Sequence, residues 1–176
     1  MLVFSRVAYC MGGCTKLLLA VGFSLFLSAG ETLVLAADPF TVGSGSVLAP
    51  GSGVNIALGR SYTWDVPPNY ELSTDAGDVK QLTDGVYTTG TLWTSPLAVG
   101  WSRRRPSVTV DLGTVQPISG ISFSTAAGSG QVHWPNMILI MVSDDGVNFR
   151  ESGDLVALSG RQSMPAEYGK YSNHRY

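Results

Sequence analysis

Between Ser107 and Gly113 the chain alternates strictly, with Val108, Val110 and Leu112 apolar and Thr109 and Asp111 polar. A period of two belongs to extended backbone, whose successive side chains point to opposite faces, so this stretch predicts a strand with one buried face. The pattern recurs in Ile118 to Ser124, where Ile121 and Phe123 flank Ser122. Met137 to Val142 is apolar at every position. Such a run is either a central strand covered on both sides or a buried helical turn, and its Ile and Val content and flanking turn residues favour the strand. Asp144-Asp145-Gly146 then predicts a tight reversal, with Val147 and Phe149 opening the returning strand.

From Val54 onward, short apolar segments alternate with turn residues at a spacing suited to a β-sandwich, and no internal repeat is visible. Composition supports that class: 21 Gly, 9 Pro and only 14% charged residues favour many short strands over long solvent-facing helices. A length of 176 residues suits one domain with a sizeable core. Net charge is -2, and the basic residues cluster only at Arg103-Arg104-Arg105, so a nucleic-acid backbone would meet little counter-charge and is not an expected partner.

Residues 1–37 read as an export signal. Arg6 and Lys16 supply positive charge, Leu17 to Leu27 carries none, and small residues follow at Ser28-Ala29-Gly30 and Ala36-Ala37. The run falls short of the roughly 20 residues a permanent membrane helix needs, and Glu31 interrupts any longer span, so no stable span is expected after cleavage. The favoured cut is near Ala37-Asp38; a cut after Gly30 and a start at Met11 are the alternatives. Cys10 and Cys14 would leave with the signal, and the remaining chain would then hold neither a disulfide nor a thiolate metal site. Residues 38–53, rich in Gly, Ser, Ala and Pro, predict a flexible leader.

Four segments occur in a recognisable order. They are Asn55-Ile56-Ala57-Leu58-Gly59-Arg60; Leu82-Thr83-Asp84-Gly85 with Leu92-Trp93-Thr94-Ser95; Val108-Thr109-Val110-Asp111-Leu112-Gly113; and Val142-Ser143-Asp144-Asp145-Gly146-Val147-Asn148-Phe149. Together they resemble the discoidin, or coagulation factor 5/8 type C, family, which is similar to family 32 carbohydrate-binding modules. The resemblance implies an all-β, galactose-binding-domain-like jelly-roll sandwich over residues 54–176. It also implies recognition of glycans, phospholipid head groups or proteins through loops at one end. Family members close with further strands and an acidic segment, whereas this sequence ends at Tyr171-Ser172-Asn173-His174-Arg175-Tyr176, so the expected sandwich is truncated at its C-terminus.

The resemblance implies a structural calcium site at Asp84 and Thr89, with Glu167 a loose substitute for the family's closing acidic ligand; calcium is a hard cation that takes six to eight oxygens. A plain Asp-Gly turn without an ion is the alternative. For ligand binding the candidates are three loops. Tyr62, Trp64 and Tyr70 could stack on a sugar ring, or could cap the core under a long loop. Trp101, Arg103 and Arg104, with Arg105 beside them, could grip a carboxylate, sulfate or phosphate, or form a solvated turn. His133 and Trp134 follow a Gly-Ser-Gly run and could contact a sugar, although a lone His is more often structural. Trp93 is assigned to packing.

Catalysis has little to stand on in this sequence, which contains no G-x-S-x-G, H-E-x-x-H, P-loop or dinucleotide fingerprint. The leading expectation is a secreted, periplasmic or cell-surface module that binds a glycan or another cell-surface ligand. The alternatives are a structural or adhesion domain that binds protein, and an accessory module of a larger secreted enzyme.

Overall fold

The structure is a computed structural model that describes residues 2–4, 10–22, 54–88, 91–118, 120–128, 132–160 and 171–176, with side chains described from Val54 onward, Asn173 apart. Among these residues strand far outweighs helix. The elements are β1 (Leu2–Phe4), β2 (Cys10–Gly22), β3 (Tyr62–Trp64), α1 (Asp78–Gln81), a 3-10 turn (Leu92–Thr94), β4 (Val99–Trp101), β5 (Ser107–Ile118), β6 (Ser124–Ala127), β7 (Met137–Ser143), β8 (Arg150–Asp154), α2 (Leu155–Leu158) and β9 (Ser172–Arg175). The largest sheet has the order β3-β5-β2-β7-β8, and two strand pairs, β1-β4 and β6-β9, stand beside it. All pairings are antiparallel.

The alternating stretch behaves as its period requires. Val108, Val110 and Leu112 on β5 are buried while Thr109 and Asp111 are half-buried. On β7, Ile138 and Ile140 are buried and Leu139, Met141 and Val142 are half-buried, in a strand that is internal to the sheet. These side chains join Tyr62, Trp101, Phe123, Leu155 and Val156 in the main core, and a second cluster gathers Leu92, Trp93, Ala98, Ala126 and Val132. The Asp154 carboxylate fastens α2 to the sheet, its Oδ1 accepting from Val156 N at 3.0 Å and Ile138 N at 2.9 Å.

Three elements differ from expectation. The strand expected within Ile118 to Ser124 is displaced: Ile118 ends β5, and β6 begins at Ser124. Phe123 exchanges backbone bonds with Tyr176 (Phe123 N to Tyr176 O, 3.2 Å; Tyr176 N to Phe123 O, 2.7 Å), so the C-terminal residues select the register of β6. The return after β7 also starts later, at Arg150, because Asp145 organises a wider loop. Its Oδ1 accepts from Ser143 Oγ at 2.9 Å, Val147 N at 2.8 Å and Asn148 N at 2.8 Å, while Gly146 takes φ 75°. Those donors hold the Asp145 carboxyl far below the usual carboxylate range.

The third difference concerns the apolar N-terminal run. Cys10–Gly22, which overlaps the expected export signal, lies as β2 between β5 and β7, at the centre of the sheet. The five-stranded sheet therefore draws one strand from outside residues 54–176. No helix among the described residues is long and apolar enough to cross a membrane.

Candidate functional site

Two of the three expected ligand segments are brought together, although Tyr62 and Trp64 lie on β3 and Trp101 ends β4 rather than standing in loops. Asp65 and Ser107 exchange bonds, Asp65 N donating to Ser107 O at 3.1 Å and Ser107 N to Asp65 Oδ1 at 2.7 Å. Asn69 does the same with Ser102: its Nδ2 donates to Ser102 O at 3.3 Å and its Oδ1 accepts from Ser102 N at 2.9 Å. Gly100 O accepts from both Asn69 N and Tyr70 N at 3.1 Å. Gly100 permits this approach, since a Cβ there would lie 2.5 Å from Ser73 Oγ and 2.8 Å from Tyr70 Cβ. The loop after β3 is thus latched along β4 and the turn that follows it.

The latch sorts the candidates by depth. Trp101 is fully buried, and its Nε1 donates to Val66 O at 2.7 Å. Tyr62 is buried too; its hydroxyl donates to Asp78 O and accepts from Leu82 N at 3.2 Å. Burial pushes the Tyr62 hydroxyl well above the ordinary phenol value, and the nearby Asp78 and Asp84 charges add to that, against the Leu82 hydrogen bond. Trp64 is half-buried and meets both rings edge to face, at centroid distances of 5.8 Å to Tyr62 and 6.3 Å to Trp101. Tyr70 is half-buried against the second cluster. Arg103, Arg104 and Arg105 are exposed on the adjoining turn, where Arg103 takes a left-handed φ of 56°.

What reaches solvent here is therefore the outer part of Trp64 and Tyr70, the exposed Asp65 and Asn69, and three guanidinium groups. Such a surface can stack against an apolar face and can donate paired hydrogen bonds to a carboxylate or sulfate. Asn69 was not singled out in the sequence. Its signal was position alone, a bonding-capable side chain directly after Val66-Pro67-Pro68, where proline restricts the backbone and leaves side chains to secure the loop.

The third loop belongs to a different group. His133 is exposed, but Trp134 is buried and sits edge to face with His174 at 6.1 Å, which in turn meets Tyr176 at 4.6 Å. Trp93 is buried and packs on Tyr171 at 4.8 Å. The expected calcium loop is described only in part. Asp84 Oδ1 accepts from Val86 N at 2.7 Å and Gly85 takes φ 90°, the geometry of an Asp-Gly turn holding itself; Thr89 and Glu167 lie outside the described residues. Among the described residues, no three or more His, Cys, Asp or Glu side chains are grouped as metal ligands.

A polar cluster that the sequence did not signal adjoins the Tyr62 hydroxyl. Asp75 Oδ1 accepts from Gly77 N at 2.6 Å and Gln81 Nε2 at 3.2 Å, and the same Gln81 Nε2 donates to Pro96 O at 2.5 Å. Ser73 Oγ, Asp78 Oδ1 and Gln81 Oε1 are buried without a hydrogen-bond partner. Burial lifts the Asp78 carboxyl to about 6, with the Asp75 charge adding to the rise and a backbone hydrogen bond at Asp75 opposing it.

No family model, curated protein or solved structure matches this chain.

Proposed function

We propose that the chain is an exported, non-catalytic module with a galactose-binding-like jelly-roll sandwich, which binds carbohydrate at the latched segments 62–72, β3 and the loop after it, and 101–105, the end of β4 and the turn after it. The observation that carries this reading is the latch itself. It holds the segment that carries the half-buried Trp64 and Tyr70 and the exposed Asn69 against the turn that bears three exposed arginines, side chains suited to a sugar that offers both an apolar ring face and an acidic group.

Titration calorimetry with galactose, fucose and uronic-acid polymers tests the reading. Binding of at least one of them, weakened about tenfold or more by Arg104→Ser at unchanged melting temperature, is the expected result, since one charge-assisted bond is worth roughly 1.5–3 kcal/mol. A well-folded sample that binds none of these sugars and instead retains a protein ligand would favour the adhesion-domain reading.

The export part of the proposal places cleavage near Ala37-Asp38, and the intact mass of the natural product tests it. The calcium part assigns Asp84 and Thr89 to the ion. A rise in melting temperature with added Ca²⁺ that Asp84→Ala abolishes is expected, because a ligand held only by the folded state stabilises it, by about 2.7 kcal/mol at a hundredfold excess over Kd. An unchanged melting temperature across millimolar Ca²⁺ would remove the ion from the account.

A further inference from the structure

The segment Cys10–Gly22 reads as part of a detachable signal, yet it lies at the centre of the largest sheet. Lys16 to Ala20 lie opposite Asp111 to Ser107 on β5, and Lys16 to Gly22 lie opposite Ser143 to Met137 on β7. Both pairings are antiparallel, so β5 and β7 run parallel to each other with one strand between them. Neighbouring strands stand about 4.8 Å apart, which makes the gap between β5 and β7 about 9.6 Å wide, one strand and no more.

The two walls differ from ordinary sheet edges. Val108, Val110, Ile138 and Ile140, all buried in the main core, sit on them. A protected edge carries charges, proline or a bulge that discourages pairing. Along the walls facing Lys16–Ala20, the β5 partners are Ser107, Val108, Thr109, Val110 and Asp111, and the β7 partners are Leu139 to Ser143. Asp111 is the one charged residue among them, and it stands opposite Lys16. Between Lys16 and Gly22 the inserted segment has no other charge.

We infer that the space between β5 and β7 is a strand-acceptor slot, and that its occupant is this chain's own segment Cys10–Gly22, held by backbone pairing to both walls over Lys16–Ala20 and to one wall at either end, and independent of a covalent tether. The slot, not the tether, then keeps the segment in place: a cut between residues 38 and 53 leaves it bound. Displacement needs a competing extended strand of the same apolar character. The inference uses the export reading only for the place of the cut; occupancy of the slot is read without any sugar, so the two can fail separately.

The test uses the full chain, folded first and then cut at a protease site introduced between residues 38 and 53. Co-elution of the N-terminal piece with the body on size exclusion is the expected result, as is slow amide exchange at Leu17 to Val21, comparable with Val110 and Ile140. An excess of a synthetic peptide with the sequence Lys16–Gly22 should displace the piece. The same peptide carrying Leu18→Pro, which cannot complete the ladder, should compete at least about tenfold less well. The inference is overturned if the piece leaves the body after the cut, because backbone pairing alone then fails to hold the segment. It is equally overturned if Leu17 to Val21 exchange freely in the uncut chain, or if the body aggregates whether or not peptide is present.

Discussion

The five-stranded sheet and the latched loops are held by different kinds of contact, and the two respond differently to change. In the sheet, stability is spread over repeated apolar side chains such as Val108, Val110, Ile138 and Ile140, so each contributes a share of one core. In the loops, position depends on single polar side chains: Asn69 on Ser102, Asp65 on Ser107, and Tyr62 between Asp78 and Leu82. A periodic pattern builds the first region, and individual hydrogen-bonding groups aim the second. Trp101 and Tyr62 belong to both: their rings are in the core, while the Trp101 Nε1 holds Val66 O on the loop and the Tyr62 hydroxyl bridges Asp78 and Leu82.

Trp101→Ala therefore gives the largest expected effect, a loss of about 3–5 kcal/mol in urea unfolding from the buried ring removed and the cavity it leaves. The Val66 carbonyl loses its donor as well. Trp101→Phe sharpens the comparison: it keeps most of the ring and removes the hydrogen bond, so a loss near 1–3 kcal/mol would mean that the polar anchor matters beside the packing. Equal losses for the two variants would break the distinction, because the ring volume would then contribute nothing of its own.

How far the sequence can be read follows the same division. The strand at Ser107 is legible because its alternation comes from backbone geometry, which no tertiary contact has to supply, and the apolar strand at Met137 is legible from its Ile and Val content and its flanking turn residues. The register of β6 was not legible, since it is set by pairing with β9, a strand distant in sequence. Nor was the depth of the ring residues: Tyr62, Trp64 and Tyr70 share one loop in the sequence, yet Tyr62 faces inward and the other two stop halfway. The same apolar run that marks an export signal also satisfies a central strand, because both need a stretch without charge. Only the pairing of Lys16–Ala20 with two neighbours discloses its place in the sheet.

Asp78 gives the second effect, and it has the opposite sign to most substitutions. Its carboxyl is raised from 3.8 to about 6 by burial, so the folded state holds the proton more tightly than the unfolded one. The associated stabilisation is complete below about pH 4 and is lost as pH rises through about 6, where the buried group becomes charged. Asp78→Asn removes that charge with little change of shape. It should raise stability at pH 7 by about 1–3 kcal/mol and have little effect at pH 3.5, measured by urea unfolding at both values. A gain of equal size at both pH values would show that shape, not ionisation, governs the polar cluster.

Asn69→Ala is the smallest of the three in stability and the most specific to the loops. The side chain is exposed and its two bonds to Ser102 are open to water, so their loss should cost only about 0.5–1.5 kcal/mol. The loop keeps the backbone bonds from Asn69 and Tyr70 to Gly100, so it should stay near β4 with its outer part free to move. Carbohydrate affinity should fall by several-fold, since the ordering that the latch supplies in advance would then have to be provided on binding. Asn69→Asp keeps the acceptor for Ser102 N and loses the donor to Ser102 O, so it should fall between the wild type and the alanine variant. If both variants bind as tightly as the wild type while Trp101→Ala still unfolds the sheet, the loops owe their position to the core after all. The separation between patterned sheet and individually anchored rim would then collapse into a single packing effect.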